Sequence, residues 1–250
     1  MDSRGKRRFY VAPEQVTNGE AFITGADMRH ITQVMRYAKG DEIVLVDGAG
    51  FEFCGCIEQT TASEIRIRII DKRPALTESP LHLTVVQAFL KERKMDDLLR
   101  PLTELGMTEW VPLMADRSVA RPDARRLKRR YERWRTILKE GIKQCERGRV
   151  PKIGQLTDWK ALVADAASHD VNLLFYERGG IPFGDIQKTV VKPVARVRLV
   201  LGPEGGFTQG EVAQAETAGF RIVSLGPRIL RSETAAIAGA SLAQLFFGDL

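Results

Sequence analysis

The sequence is poor in the residues that build disulfide frameworks and metal sites. It has three cysteines and three histidines in 250 residues, and the cysteines form no C-x-x-C pair. A disulfide scaffold needs an even and denser set of cysteines, and a zinc site needs clustered Cys or His ligands. We therefore predict no disulfide, no bound metal and a reducing, cytoplasmic environment.

Long apolar runs and the common nucleotide loops are also missing. No apolar run approaches the roughly 20 residues of a membrane-spanning helix, and no apolar segment follows the basic amino terminus as it would in a signal peptide. Neither G-x-G-x-x-G nor a G-K-[ST] ending occurs, which argues against dinucleotide enzymes and kinases. We predict no membrane association and a different kind of ligand loop.

Positive charge is in excess. The formal net charge is +6 at pH 7 and the pI is about 9.3, and nucleic acid is the commonest polyanion that binds such a protein. The densest cations lie in Arg121–Arg149, on a predicted helix whose apolar stripe includes Tyr131 and Trp134. We expect Arg129 and Arg133 to face RNA phosphates, although an ordinary solvated helix face would carry the same charges.

The first part of the chain predicts a small β-rich unit. Residues 1–10 join several Arg and Lys residues to Phe9 and Tyr10, which indicates an RNA-contacting arm, the start of a first strand, or both. A helix pattern covers residues 25–36. Strand patterns follow it at 42–46, 51–58 and 64–70. Short strands around one helix suggest a small barrel, and the prolines of 75–80 indicate a linker.

The second part predicts an α/β domain, because strand and helix patterns alternate to the end. Two apolar strands near the carboxyl end stop at Gly-Pro turns, one at Gly202-Pro203 and the other at Gly226-Pro227. Parallel sheets bind ligands at the carboxyl ends of their strands. We therefore expect the two turns to share one crevice.

The helix pattern between these turns argues against a phosphate site. Thr208 and Glu211 have the spacing of a capping box, which would satisfy the first amides of the helix with its own side chains. A neutral ligand that is held by loop backbone, such as an adenosine, fits this arrangement better than a phosphate.

Two strings in this region carry a family resemblance. They read Leu-Gly-Pro-Glu-Gly-Gly-Phe (Leu201–Phe207) and Leu-Gly-Pro-Arg-Ile-Leu-Arg-Ser-Glu-Thr-Ala (Leu225–Ala235), with Glu211 between them. The strings and their spacing resemble the RsmE family of ribosomal RNA uridine-N3 methyltransferases. That family belongs to the SPOUT superfamily of knotted S-adenosylmethionine enzymes.

The resemblance implies a fold and an activity. The fold would be α/β, a SPOUT-type knotted parallel sheet with helices on both faces, preceded by a small PUA-like β-barrel domain. The PUA-like RNA-binding domain would span residues 1–74, and the methyltransferase domain with its carboxyl-terminal trefoil knot would span 75–250. The cofactor would be S-adenosyl-L-methionine, the target N3 of a uridine in 16S ribosomal RNA of the small subunit, and the assembly a homodimer.

Individual residues receive roles from the resemblance and from their charge. The cofactor would contact Leu174, Gly202, Glu204, Gly205, Leu225, Gly226, Ile229, Leu230 and Thr234. We expect Arg231 to stabilise the anion that forms when uridine N3 loses its proton, because a guanidinium stays charged. Glu204 or Glu233 would take that proton, although Arg231 and Glu233 also lie where they would simply cap the last helix. The predicted RNA-binding set is Arg7, Arg8, Lys91, Lys94, Arg129, Arg133 and Arg147.

Two other functions stay open. One is a SPOUT methyltransferase that acts on transfer RNA or on ribose, and the other is an inactive RNA binder in ribosome assembly. In addition, residues 143–151 resemble the family's Glu-Gln-x-Gly-Arg-x-x-x-Pro segment, but Lys143 and Glu146 stand where the family has Glu and Gly. Any role that depends on that carboxylate is therefore in doubt.

Overall fold

The computed structural model describes residues 7–190 and 193–250, and these form two compact units. The first unit holds the described residues up to Glu78 together with Lys139–Val150, and the second holds those of Ser79–Leu138 and Pro151–Leu250. The chain therefore returns to the first unit at Lys139, whereas the predicted boundary after residue 74 divides the sequence only once.

The first unit is built on a sheet in the order β1-β4-β5-β6-β3-β2, with β1 and β2 at its edges. β1 runs parallel to β4, and the other pairs are antiparallel. The strands are β1 (Arg8–Tyr10), β2 (Val16–Thr17), β3 (Glu20–Thr24), β4 (Glu42–Val46), β5 (Phe51–Thr60) and β6 (Glu64–Pro74). Helix α1 (Gly25–Arg29) continues as a π-helical turn, His30–Val34. The three predicted strand patterns are confirmed as β4, β5 and β6.

Alternating side chains explain why this sheet has a dry face. Along β6, Ile65 and Ile67 are fully buried, while Arg66 and Arg68 point outward, because successive strand residues face opposite sides. The inward residues join Phe9, Ile31 and other side chains in one apolar cluster.

The second unit is built on a parallel sheet in the order β10-β8-β7-β13-β11-β14-β12, with β9 also paired to β8. Its strands are β7 (His82–Ala88), β8 (Glu109–Met114), β9 (Lys152–Ile153), β10 (Thr157–Asp158), β11 (Val171–Phe175), β12 (Ile181–Pro182), β13 (Arg196–Leu201) and β14 (Arg221–Ser224). The predicted α/β class is confirmed, because every pairing in this sheet is parallel.

Helices cover both faces of the parallel sheet. They are α2 (Lys94–Glu104), α3 (Ala124–Gln144, which belongs to this unit up to Leu138), α4 (Trp159–Ala164), α5 (Phe183–Thr189), α6 (Gln209–Thr217) and α7 (Ser232–Phe247). Leu174 of β11 packs in an apolar cluster with Trp159 of α4 and Val212 of α6. The next residue, Phe175, points the other way, and a Cβ on Gly239 of α7 would lie 2.7 Å from its ring. Because neighbouring strand residues face opposite sides, α7 lies across the sheet from α4 and α6.

A buried polar cluster joins the start of β7 to the loop before β11. His169 is 9% exposed, with its Nε2 2.9 Å from Thr84 Oγ1 and its Nδ1 2.8 Å from Ser168 Oγ. Arg198 donates to the same Ser168 hydroxyl at 2.8 Å. Burial, followed by the positive charge of Arg198, lowers the pKa of His169 to about 3, so the imidazole is neutral at physiological pH.

We expect this histidine to make folding stability depend on pH. Between pH 6.5 and about 3 the unfolded chain binds a proton at His169 and the folded chain does not, so acid favours unfolding. The free energy of unfolding should fall by up to about 1.4 kcal/mol per pH unit in this window. A His169→Gln variant should lose that part of the slope in urea unfolding at pH 7 and pH 5, and equal slopes in the two proteins would contradict the prediction.

Candidate functional site

Three adjacent strand ends of the second unit form a cleft. The carboxyl ends of β13, β11 and β14 lie side by side in the sheet, and the loops that follow them line a cavity of about 480 Å³. The lining comes from residues 175–178, from 201–207 and from much of 223–235, with Lys94 added. The prediction that the two Gly-Pro turns share one crevice is confirmed.

Glycine lets the loop after β13 approach its neighbour closely. Gly206 has φ +66°, in the left-handed region that favours glycine. A Cβ at this position would lie 2.7 Å from Glu177 Oε1 in the loop after β11. The loop then enters α6 through Thr208, whose hydroxyl accepts from the Glu211 amide while the Glu211 carboxylate accepts from the Thr208 amide. The predicted capping box is therefore confirmed.

A buried amide connects the two turns. Gln87, at the end of β7, is fully buried, and its Nε2 donates to the Gly202 carbonyl at 3.2 Å and to the Ser232 hydroxyl at 2.9 Å. The Ser232 hydroxyl in turn donates to the Gly202 carbonyl at 2.7 Å. The glycine loop and the first residue of α7 are thereby held together.

A lysine lies between the two candidate proton acceptors. Lys94 Nζ is 3.3 Å from Glu204 Oε1 and 3.3 Å from Glu233 Oε1, and the Lys91 amide also donates to Glu204 Oε1 at 3.0 Å. Burial tends to raise the pKa of Glu204, but the Lys91 amide and Lys94 outweigh it and hold that pKa below its ordinary value. Burial likewise opposes the charge of Lys94, while the two carboxylates raise its pKa.

Most residues predicted to hold the cofactor line this cleft. They are Gly202, Glu204, Gly205, Leu225, Gly226, Ile229 and Leu230, and the catalytic candidates Arg231 and Glu233 line it as well. Two residues predicted to contact the cofactor are not found in this lining. The Leu174 side chain is fully buried on the face of α4 and α6, and Phe175 and Tyr176 line the cleft in its place. Thr234 is exposed on the first turn of α7 and is not part of the lining, whereas Ala235 is.

The contacts of Arg231 and Glu233 at the start of α7 show whether these side chains only cap the helix. Arg231 occupies the N-cap position, but its side chain makes no capping hydrogen bond. Glu233 lies in the first turn, where its carboxylate pairs with Lys94. Helix capping therefore does not account for the Arg231 side chain.

The predicted RNA-binding residues fall into three groups. Arg7, Lys91, Arg129 and Arg133 are exposed, while Lys94 lies in the cleft. Arg8 and Arg147 are corrections, because they are only 7% and 4% exposed and their guanidinium groups are bound within the first unit. The remaining basic residues of the predicted arm, Arg4 and Lys6, lie outside the described residues.

Ion pairs account for the burial of Arg8 and Arg147. They also involve Lys143 and Glu146, which stand where the family segment has Glu and Gly. Arg8 lies 3.3 Å from Glu52 and 2.7 Å from Glu146, and Arg147 lies 2.9 Å from Glu78. Lys143 pairs with Asp27 at 3.1 Å and with Glu140 at 2.7 Å. Glu146 and Lys143 therefore support the packing of the first unit.

Sequence reasoning missed the partners that shape the cleft. Gln87 offered one signal, because it is a polar residue within the apolar run of 83–90. Nothing in the sequence placed Lys94 between Glu204 and Glu233, since those carboxylates lie more than a hundred residues away in the chain. In the described part of the chain, no helix is long and apolar enough to cross a bilayer, and no group of three or more Cys, His, Asp or Glu residues gathers to hold a metal.

Comparison with known proteins places this architecture in a family. A model described as RNA methyltransferase domain matches residues 77–244, and one described as RNA methyltransferase PUA domain matches residues 23–70. The ribosomal RNA small subunit methyltransferase E of Synechocystis sp. is 33% identical over 91% of this chain and 74% of its own length. The chain belongs to the ribosomal RNA small subunit methyltransferase E family. The Bacillus subtilis protein of that name is 30% identical over 92% of each chain.

A solved member of this family shares the fold along almost the whole chain. The ribosomal RNA small subunit methyltransferase E from Neisseria gonorrhoeae, crystallised with S-adenosyl methionine, has a TM-score of 0.86 and 29% identity, and the match covers 98% of this chain and 99% of that one. The family inferred from the two sequence strings is confirmed, as is the α/β fold with a PUA-like first part. The trefoil knot stays a prediction.

Proposed function

We propose that this chain transfers a methyl group from S-adenosylmethionine to N3 of a uridine in 16S ribosomal RNA, in the small subunit. Membership of the family supports the reaction class, and the cofactor in the Neisseria gonorrhoeae structure supports the methyl donor. The single observation that carries the proposal is the convergence of Gly202–Gly206 and Leu225–Arg231 on one cleft, with the Arg231 side chain in its lining.

The cleft suits S-adenosylmethionine in size and in chemistry. Its volume of about 480 Å³ lies within the range of small-molecule sites, which is about 300–1,000 Å³. Gly202 and Gly205 would present backbone groups, Leu225 and Leu230 would give apolar contact, and the Glu177 carboxylate would complement the positive charge of the ligand. When it is bound, the cofactor supplies an electrophilic methyl group on sulfur.

The cleft also offers what a uridine base requires. N3 carries a proton and is a weak nucleophile until that proton leaves. Arg231 would stabilise the resulting anion, because a guanidinium keeps its charge and donates to a carbonyl oxygen. Glu204 and Glu233 are the candidate proton acceptors. The pKa of Glu204 is held below its ordinary value, and a less basic carboxylate takes up a proton less readily.

The basic face of α3 is the proposed contact for the rest of the RNA. Arg129 is exposed and has no ion-pair partner among the described residues. Arg133 is half-exposed, but its Nε lies 2.8 Å from Asp96 Oδ2. The sequence predicts that both arginines bind RNA phosphates. The Arg129 guanidinium is the more available of the two, because that of Arg133 is paired with Asp96.

We expect Arg129→Ala to weaken RNA binding and to reduce its salt dependence. Loss of one phosphate contact should make the slope of log K against log salt less steep by about 0.7–0.9, while Arg133→Ala should change it less. Filter binding of small-subunit RNA from 50 to 300 mM salt measures both slopes, and Lys160→Ala, on the exposed side of α4, is the control. An unchanged slope in Arg129→Ala would identify α3 as an ordinary solvated helix.

A methylation assay with an assigned product tests the proposed function. The purified protein is incubated with labelled S-adenosylmethionine and either free small-subunit RNA or assembled small subunits, and the nucleosides are then analysed by mass spectrometry. N3-methyluridine is the expected product. Methylation of ribose or of transfer RNA would favour a different SPOUT activity. Binding of RNA without any calorimetric heat from S-adenosylmethionine would favour an assembly factor.

The same proposal includes a homodimer, a trefoil-knotted methyltransferase domain and a cytoplasmic location. Leu245 and Leu250 at the carboxyl end are 55% and 62% exposed, which suits an interface between two copies. Phe246 is less available, because its ring stacks on Phe183 at 5.7 Å. Light scattering after size exclusion should give twice the chain mass, and a monomeric mass would count against the dimer.

A further inference from the structure

The two loops that line the cleft differ in the number of hydrogen bonds that hold them in place. The glycine loop has several supports: Arg117 donates to the carbonyls of Gly205 and Phe207 at 3.0 and 3.3 Å, and the Lys91 amide holds Glu204 at 3.0 Å. The turn that carries Arg231 has few such hydrogen bonds. Within residues 7–190 and 193–250, no hydrogen bond joins 227–230 to the rest of the chain.

The turn is instead fixed at its far end, by the residues that follow Arg231. Ser232 donates to the Gly202 carbonyl at 2.7 Å and accepts from Gln87 at 2.9 Å, and Glu233 pairs with Lys94 at 3.3 Å. Ser232 is bonded directly to Arg231, so its position sets where the Arg231 backbone lies.

The orientation of the Gln87 amide follows from its surroundings. Its nitrogen lies 3.0 Å from the Ala88 carbonyl and 3.2 Å from the Gly202 carbonyl, and only the NH₂ group can face two acceptors. In β7 the residue pairs with Leu201, the last residue of β13. Gln87 therefore holds the end of the neighbouring strand and the start of α7 at the same time.

Stability alone does not explain a glutamine at this position. The neighbours Val85, Val86, Ala88 and Phe89 are apolar and buried, and Gln87 Oε1 is buried with no hydrogen-bond partner among the described residues. An unsatisfied buried acceptor is costly and calls for a separate explanation. An apolar residue would fill the space without that loss but would not reach Ser232 with a donor.

We propose that Gln87 and Ser232 are positioning residues that hold Arg231 at the reacting uridine. The inference rests on the proposed function and on the role given to Arg231. Uridine N3 gives up its proton to a carboxylate of the cleft, Glu204 or Glu233, and forms a bond to the methyl carbon, while the carbon–sulfur bond breaks and its electron pair stays on sulfur. Arg231 stabilises the negative charge that appears on the base before this bond forms. A shift of its guanidinium weakens that stabilisation and leaves the cofactor contacts in place.

Ser232→Ala tests the proposal most directly. We expect kcat to fall about 10- to 100-fold, as misplacement of a positioned group by about 1 Å does, while the Kd for S-adenosylmethionine changes less than about threefold. Ser232→Thr keeps the hydroxyl and should restore most of the rate. Ser241→Ala is the matched control, because Ser241 lies on the same helix and, within the described residues, its hydroxyl bonds only to the Ile237 carbonyl, at 3.0 Å. Gln87→Met should resemble Ser232→Ala.

A double-variant cycle separates positioning from a general loss of structure. With Arg231→Ala already present, Ser232→Ala should change kcat less than about twofold, since no guanidinium remains to be positioned. Additive losses would overturn the proposal, as would a loss of cofactor affinity equal to the loss of kcat. If the wild-type chain fails to methylate RNA, the proposed function fails. If Arg231→Ala is fully active, the role of Arg231 fails.

The pH profile gives a second readout. Weaker stabilisation of the uridine anion should move the acid limb of kcat to higher pH in Ser232→Ala, in the same direction as in Arg231→Ala. The charged groups that line the cleft beside Arg231 are Lys94 from α2, Glu204 after β13, Glu177 and Arg178 after β11, Arg228 and Glu233. None of them is altered in these variants. An acid limb that stays in place while the melting temperature falls would assign Ser232 to stability only.

Discussion

Replacing Arg231 by Ala is expected to abolish most methylation while leaving cofactor binding largely intact. Arg231 is exposed in the cleft, and its side chain makes no capping hydrogen bond to α7. Removal of one donor that stabilises a developing oxyanion lowers kcat by about 100- to 1,000-fold, and we expect a loss of this size. The rate is measured by methyl transfer to small-subunit RNA, and the affinity for S-adenosylmethionine by calorimetry.

Arg228→Ala is the matched comparison for this variant. Arg228 is an exposed arginine in the lining of the same cleft, three residues away in the same turn. A general loss of positive charge would affect both variants alike, whereas a specific role predicts a large loss of kcat only for Arg231→Ala. Equal losses of rate and of cofactor affinity in Arg231→Ala would place this residue in cofactor binding and not in anion stabilisation.

Trp134→Ala is expected to give the largest loss of stability. Trp134 is fully buried, packs near Trp110 and Tyr131 with ring centroids 6.4 and 5.3 Å away, and donates from Nε1 to Asp96 Oδ1 at 2.7 Å. A large cavity and the loss of the donor to Asp96 Oδ1 should lower the free energy of unfolding by about 3–5 kcal/mol. Urea unfolding followed by circular dichroism measures the change.

Phenylalanine variants separate the cavity from the hydrogen bond. Trp134→Phe keeps most of the ring volume and removes the donor to Asp96, so we expect an intermediate loss of about 1–3 kcal/mol. Trp159→Phe is the control, because Trp159 is also buried but its Nε1 has no partner among the described residues. A Trp159→Phe variant as unstable as Trp134→Phe would show that the Asp96 hydrogen bond contributes little.

Local patterns predicted the elements well where one residue type decides the structure. The strand over 42–46 is found as Glu42–Val46, and the capping box of Thr208 and Glu211 begins α6. The stripe of Tyr131 and Trp134 lies on α3 as its spacing predicts. Such features depend on neighbours within a few residues, so the sequence contains all the information that they need.

Side-chain environments were predicted less well, because they depend on residues far away in the chain. Arg8 and Arg147 belong to basic stretches that resemble RNA contacts, yet each finds a carboxylate partner in the first unit. Leu174, the predicted cofactor contact, is one position away from Phe175, which lines the cleft. In a strand this single step moves a side chain to the opposite face of the sheet.

The sequence by itself determined the family, the alternation of strands and helices, and the Gly-Pro turns that end β13 and β14, because each is written in a short run of residues. Only the tertiary structure decided that β7 lies next to β13, and with it that Gln87 reaches Ser232 and Lys94 lies between Glu204 and Glu233. The physical reason is that strand order follows from the burial of whole faces against helices. No local pattern specifies which distant strand becomes the neighbour.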